Sequence, residues 1–286
     1  MNAISVDLED WFCVYNLREI IPFDKWGSCE SRICENTMRL LDLFDRYSVN
    51  ATFFVLGWIA EQHPALILEI EKHGHEIGIH GFNHRPVHEL TPEEFRMDIE
   101  KSLTIVRGIV QQPVYGYRAP MFSIVEKSLW ALDILSELGL QYDSSVYPVS
   151  LHPEYGIKNQ RLEMYSHSDT LTEVPLSCAT IGGMNIPCGG GGYFRLYPYP
   201  LFRKLVQICI GQGRPLIFYF HPWEIDPDQP VMKLPFTRRF RHYNNLEKTY
   251  NRLEKLLREF QFTTVGELVK EYGKRENAKL SLYEQN

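Results

Sequence analysis

This 286-residue sequence predicts an α/β fold built on a parallel sheet, and three observations carry that expectation. Short apolar runs rich in β-formers alternate with segments of helical periodicity, the pattern of strands joined by crossover helices. Several of the runs end directly in polar islands, as strands do when their carboxyl ends face a shared cleft. The length and a hydrophobic content of 44% allow one large core, so a single domain over 1–286 is expected.

Along the chain, Ala3-Ile4-Ser5-Val6 reads as a buried strand that ends in three acids, Asp7, Glu9 and Asp10. Residues 36–47 have apolar positions at helical spacing, and 50–56 read as a second strand. Residues 64–72 suit a helix, and 76–79 form a short strand feeding His80. Thr91 is an N-cap for a helix reaching Gly108, with Pro92 at its first position and Glu93 and Glu94 in its first turn. A strand at 115–118, a helix at 126–138 and a strand at 141–143 continue the alternation.

The region 149–198 breaks the rhythm with Gly182-Gly183, four glycines at 189–192 and several prolines, so hairpins and loops layered on the sheet are expected. The glycine run lacks the Lys-Ser/Thr of a phosphate loop and leads into Tyr193-Phe194-Arg195, which does not read as a helix opening; nucleotide binding is not expected. These glycines would let the backbone approach a sugar or line a cleft rim. A helix at 199–211, a strand running into His221 and an amphipathic helix at 246–260 follow, and the polar tail from Lys274 is expected to fray.

The chemistry starts from His80 and His84, two imidazoles four residues apart that can face one metal ion. That spacing alone also suits ordinary loop histidines. Two histidines and one carboxylate with open positions can hold a divalent ion that makes bound water nucleophilic near neutral pH, which points to a hydrolase. Further polar islands, Arg118-Ala-Pro-Met-Phe122, Asp143-Ser-Ser145 and His221-Pro-Trp-Glu224, each follow a hydrophobic run and can converge on the same mouth.

The net charge of −6 argues against nucleic acid or an anionic membrane as main partner and leaves a neutral or cationic glycan allowed. No basic-then-apolar leader opens the sequence and no stretch reaches the roughly 18 apolar residues of a membrane span, so a cytoplasmic location is expected. The six cysteines form no C-x2-C pair and should stay thiols in a reducing cytosol.

Taken in order, the islands resemble the motifs of the polysaccharide deacetylases of the NodB-homology type, carbohydrate esterase family 4. Asp7-Leu-Glu9-Asp10 is similar to the family's acidic first motif, His80 and His84 to its H-x3-H, Arg118-Ala-Pro120-Met-Phe122 to its R-x-P-aromatic, and Phe220-His221 to its last. The runs 218–230 and 239–246 resemble the branch found with bacterial exopolysaccharide and exosortase systems, and the likeness extends over 5–269. It implies a distorted, incomplete, TIM-barrel-like (β/α) barrel, with motif-bearing parts at 3–145 and 199–270.

The implied function is metal-dependent N-deacetylation of N-acetylated sugars in a bacterial polysaccharide or a lipid-linked glycan precursor. Zinc is the first candidate ion, with cobalt, manganese or nickel as alternatives. By resemblance, Asp7 is the base, Arg118 its ion-pair partner and His221 the general acid, with Asp143 of the fourth motif as the candidate carboxylate beside it. His80 and His84 would hold the metal with a third ligand. Strand alternation favours Glu9 for that place, whereas a strand ending at Leu8 favours Asp10. Phe122 stands where the family often has Tyr or Trp, and Tyr193, Arg195, Trp223 and Glu224 are candidates for lining the substrate mouth. The alternatives are a related amide hydrolase acting on a small molecule, and a metal-free glycan-binding relative. The oligomeric state is left open.

Overall fold

A computed structural model describes residues 1–149, 156–157 and 160–283, with side chains described through residue 275. Its elements are, in chain order, β1 (Asn2–Leu8), α1 (Ile33–Tyr47), β2 (Thr52–Val55), α2 (Gly57–Gln62), α3 (Pro64–Lys72), β3 (Glu76–Ile79), α4 (Pro92–Arg107) and β4 (Gly116–Tyr117). Then come α5 (Trp130–Glu137), β5 (Tyr142–Asp143), β6 (Tyr165–Ser166), β7 (Thr172–Glu173), β8 (Cys178–Ile181), β9 (Met184–Pro187) and α6 (Gly191–Leu196). The chain closes with α7 (Tyr199–Gly211), β10 (Ile217–Phe220), α8 (Phe236–Tyr243), α9 (Leu246–Glu259), β11 (Phe262–Thr263) and α10 (Val265–Tyr283).

The main sheet runs β10-β1-β2-β3-β4-β5-β7-β6, with β11 pairing β1, and it curls into an open half-barrel. Every pairing in it is parallel except β6 with β7. Parallel strands are covered on both faces, which is why β1, β2 and β10 are buried along their whole length. α4 begins as its sequence predicts: the Thr91 hydroxyl accepts from Glu94 N–H at 3.2 Å and the Glu94 carboxylate accepts from Thr91 N–H at 2.9 Å.

Three expectations are corrected. The region 149–198, whose residues 150–155 and 158–159 lie outside the described part, does hold a hairpin, β8–β9, but it also completes the sheet. β7 pairs with β5 at one edge, and Gly190 bridges Tyr219 of β10 in parallel at the other. The glycine run does open a helix, α6, and the positions taken by Gly189 to Gly191 admit no side chain. A Cβ on Gly189 would meet Ile217 O at 2.5 Å, and one on Gly191 would meet Glu224 Oε1 at 2.2 Å. These glycines accommodate the protein's own groups; Gly192 alone of the four faces the cavity described below. Finally, the tail from Lys274 continues α10 to Tyr283.

Candidate active site

Residues at the carboxyl ends of β1, β3, β4 and β10 converge on a cavity of about 380 Å³ that Asp7, Glu9, His80, His84 and His221 line together. Each arrives there because its strand ends at the same rim of the parallel sheet.

Glu9, His80 and His84 offer one ligand atom each within 4.8 Å of one another, and all three are buried. Glu9 Oε1 lies 3.1 Å from His80 Nε2 and 3.0 Å from His84 Nε2. The tautomer of His80 follows from its other nitrogen, which sits 2.7 Å from the Arg118 carbonyl and must donate to it. Nε2 of neutral His80 then presents a lone pair to a carboxylate oxygen, an arrangement that calls for a cation between them or an added proton. Tetrahedral bonds of about 2.0–2.2 Å would separate ligand atoms by roughly 3.3 Å, so the donor set fits an N/O-liganded divalent ion. Burial opposes ionisation of Glu9. The charges of His84 and His221 and the hydrogen bonds of His80 and His84 outweigh it and hold the carboxyl well below its usual range. His84 holds its ring in place from a left-handed backbone, φ 58°, a strain that surrounding structure must sustain.

Asp10 is corrected as a metal ligand. The strand does end at Leu8, the condition under which Asp10 was to take over, but Glu9 N–H turns back onto Asp7 O at 2.9 Å and keeps the Glu9 side chain in the cavity. Asp10 instead accepts from Trp11 N–H at 2.8 Å, Ser31 Oγ at 2.7 Å, Arg32 N–H at 2.9 Å and Ile33 N–H at 3.2 Å. It ties the end of β1 to the start of α1, an N-capping role that leaves neither oxygen free.

Asp7 and Arg118 form a fully buried pair, with Nη1 2.7 Å from Oδ1. The guanidinium is fixed on every side: Nη1 also donates to Ser5 Oγ, Nε to Ser144 O and Nη2 to Ser144 Oγ, and it lies 4.3 Å over the Phe54 ring. Asp7 Oδ2 is left facing His221 Nε2 at 3.9 Å. Phe122 follows Met121 in a left-handed pair, φ 51° and 59°, and both line the cavity.

His221 does not pair with Asp143, which is the second correction. Its Nδ1 is 2.7 Å from Glu224 Oε1, three residues on, and Glu224 Oε2 accepts from Arg195 Nε at 2.5 Å. Arg195 further donates to the carbonyls of Arg241, His242 and Asn244, so Glu224 and Arg195 are buried and bonded while His221 stays half-buried at the cavity. Burial raises the Glu224 pKa, but Arg195 and His221 pull it down to about 2. For His221 burial disfavours the charge, while Glu9, Glu224 and Asp7 favour it more and raise the pKa to about 9. Trp223 is buried with its ring stacked between His221 at 5.2 Å and His242 at 4.5 Å. Glu224 and Arg195, expected to meet substrate, are thus committed to the protein itself, although both border the cavity with Tyr193 and Trp223.

Asp143 lies behind the site. It is the register partner of Glu173, and Ser145 Oγ, which takes Ala119 N–H, donates to its Oδ1. Asp143 Oδ2 and Glu173 Oε2 are buried without a donor, and burial raises both carboxyls, so one proton shared by the pair satisfies them.

Sequence reasoning missed the rim formed by Val14, Tyr15 and Asn16 and by Phe240, Arg241 and Asn244. No polar-after-apolar signal marks these positions. All six cysteines are free thiols.

With this geometry in hand, comparison with known proteins gives a family. Residues 21–142 match the model of the polysaccharide deacetylase family, and residues 144–270 match a model described as a domain of unknown function, DUF3473. Over 121 residues the chain is 33% identical to the peptidoglycan-N-acetylglucosamine deacetylase of Bacillus cereus, covering 42% of each chain. Over 117 residues it is 30% identical to the peptidoglycan deacetylase of Helicobacter pylori, covering 41% of this chain and 39% of the other. The chain thus spans about two fifths of the length of these curated relatives. A crystal structure of a candidate polysaccharide deacetylase from Mycobacterium smegmatis superposes with a TM-score of 0.61 at 19% identity over 96% of this chain and 92% of that one, so the fold is shared. Residues 21–142 thus match the polysaccharide deacetylase family, of the NodB-homology, carbohydrate esterase 4 type, and residues 144–270 continue as a match to DUF3473.

Proposed function

We propose that the cavity removes acetyl groups from N-acetylated sugars of a bacterial polysaccharide or of its lipid-linked precursor, with a divalent metal, zinc first among candidates, held by Glu9, His80 and His84. The observation that carries this reading is the set of three converging ligand atoms between Asp7 and His221. The names of the curated relatives, both peptidoglycan deacetylases, support the N-acetylated glycan as substrate class.

When bound, the ion supplies Lewis acidity to an amide carbonyl and to water. The protein's own groups do the rest. Arg118 orients Asp7 through Oδ1 and leaves Oδ2 to take a proton from the attacking water. His221, charged by its buried carboxylate neighbours, gives a proton from Nε2 to the departing amine, while Glu224 holds its Nδ1. Tyr193 offers aromatic surface to a sugar ring, while Trp223 backs His221 from inside the wall.

Acetate release from a panel of N-acetylated glycans and lipid-linked precursors, with chelator and with added zinc or cobalt, tests the reading. Metal-dependent release from an N-acetylglucosamine-type substrate is expected. Release only from small formamides or purine-like amides, or none with stoichiometric metal bound, would overturn it.

A further inference from the structure

The cavity mouth is bordered by a surface that the hydrolytic chemistry does not use. Between Gln229 and Asn245 the chain has four basic residues, Lys233, Arg238, Arg239 and Arg241, and no acid, although the protein as a whole is net negative at −6. α8 lies in this stretch and leaves Phe236 82% exposed and Phe240 46% exposed, one turn apart with their rings stacked at 6.4 Å. Val231 is 61% exposed just before it, and Leu196 at the end of α6 is 47% exposed. Arg238 pairs with Glu19 at 3.1 Å, which brings the exposed Ile20 to the same rim.

This helix is firmly held. Arg195 takes the carbonyls of Arg241 and His242, and His242 is buried against Trp223. Phe240, Arg241 and Leu196 also line the cavity, so the exposed surface and the mouth are continuous.

We propose that α8 and its flanks seat the cavity mouth against an anionic phospholipid surface. Large apolar side chains at such exposure mark an interaction surface, and aromatic and aliphatic groups ringed by arginine and lysine match an element that rests in the headgroup layer. The basic residues complement acidic headgroups at contact, while the negative charge of the rest of the chain is screened beyond about 8–10 Å at physiological salt. An acidic glycan would use the arginines, but Val231, Leu196 and Ile20 offer it neither a ring face nor a hydrogen bond. No helix among the described residues is long and apolar enough to cross a membrane. The inference is independent of the hydrolytic reading, because binding is measured without turnover.

The test is co-sedimentation of the full chain with vesicles of mixed phosphatidylglycerol and phosphatidylcholine, with phosphatidylcholine alone, and a binding assay on soluble alginate as an acidic glycan. Partitioning onto the mixed vesicles that weakens with salt is expected. Lys233→Glu with Arg239→Glu should lower it on the order of tenfold or more. Phe236→Ser should lower it several-fold while leaving cleavage of a soluble substrate unchanged, with circular dichroism reporting retained fold. Absence of vesicle binding, binding that ignores charge and these substitutions, or capture of alginate in place of vesicles would overturn the proposal.

Discussion

The two walls of the cavity are built differently. One wall takes Asp7, Glu9, His80, His84 and Arg118 from the ends of β1, β3 and β4, which parallel register through the intervening β2 brings to one rim. The other wall takes His221 from β10, but everything that positions it lies outside that strand. Glu224 follows in a short turn, Arg195 comes from α6, and three carbonyls at the C-terminal end of α8 hold Arg195. The first wall is positioned by sheet hydrogen bonds, the second by a buried chain of charges. A sheet tolerates loss of one side chain, whereas a buried ion chain broken at one link leaves an uncompensated charge.

The largest expected effect separates the acids of the first wall. Glu9→Ala should remove stoichiometric metal and lower turnover by roughly 10³-fold or more, as loss of several kcal/mol of Lewis-acid stabilisation implies. Asp10→Asn should keep the metal and instead cost about 1–3 kcal/mol of stability, because an amide cannot accept all the N–H groups now bonded to the carboxylate. Elemental analysis beside a denaturant melt distinguishes them; metal loss in the Asp10 variant would break the assignment.

An intermediate effect belongs to the second wall. Glu224→Gln should lower turnover about 10²-fold with metal content unchanged, since an unpinned and less basic His221 gives up much of what general acid catalysis supplies. Asp143→Asn should cost at least tenfold less. Equal losses in steady-state turnover for the two variants would restore Asp143 as the partner.

The smallest effect sharpens the role of the carboxyl pair behind Arg118. Burial raises the folded pKa of Glu173 above its unfolded value of about 4.3, so the stability it contributes is full below that pH and is lost as pH rises toward the folded value. Glu173→Gln keeps a hydrogen-bonding group without the proton to lose. Its melting temperature relative to the parent should therefore rise steadily from pH 4 upward, and a pH-independent difference would show that no proton is shared.

The first wall was largely legible in the sequence because each of its groups follows an apolar run, and short parallel strands that start in register must end in register. The helices at 64–72 and 199–211 were legible for the same local reason, as periodicity and an opening proline suffice. Glu9 and Asp10 could not be separated, since the choice depends on a turn within Asp7-Leu8-Glu9 and on donors from Ser31 to Ile33. The glycines at 189–191 were legible as sites needing closeness, but not as to what comes close.

The sequence by itself determined the α/β alternation, the strand-end position of Asp7, His80, Arg118 and His221, and the histidine pair of the candidate metal site. These depend on period and on neighbours within one or two strands. The tertiary structure alone decided that Glu9 rather than Asp10 lies beside His80 and His84, that Glu224 and Arg195 rather than Asp143 hold His221, and that region 149–198 completes both edges of the sheet. Each of those depends on burial and on charges brought together from distant positions, where the cost of an unpaired buried group selects the partner and no local pattern records it.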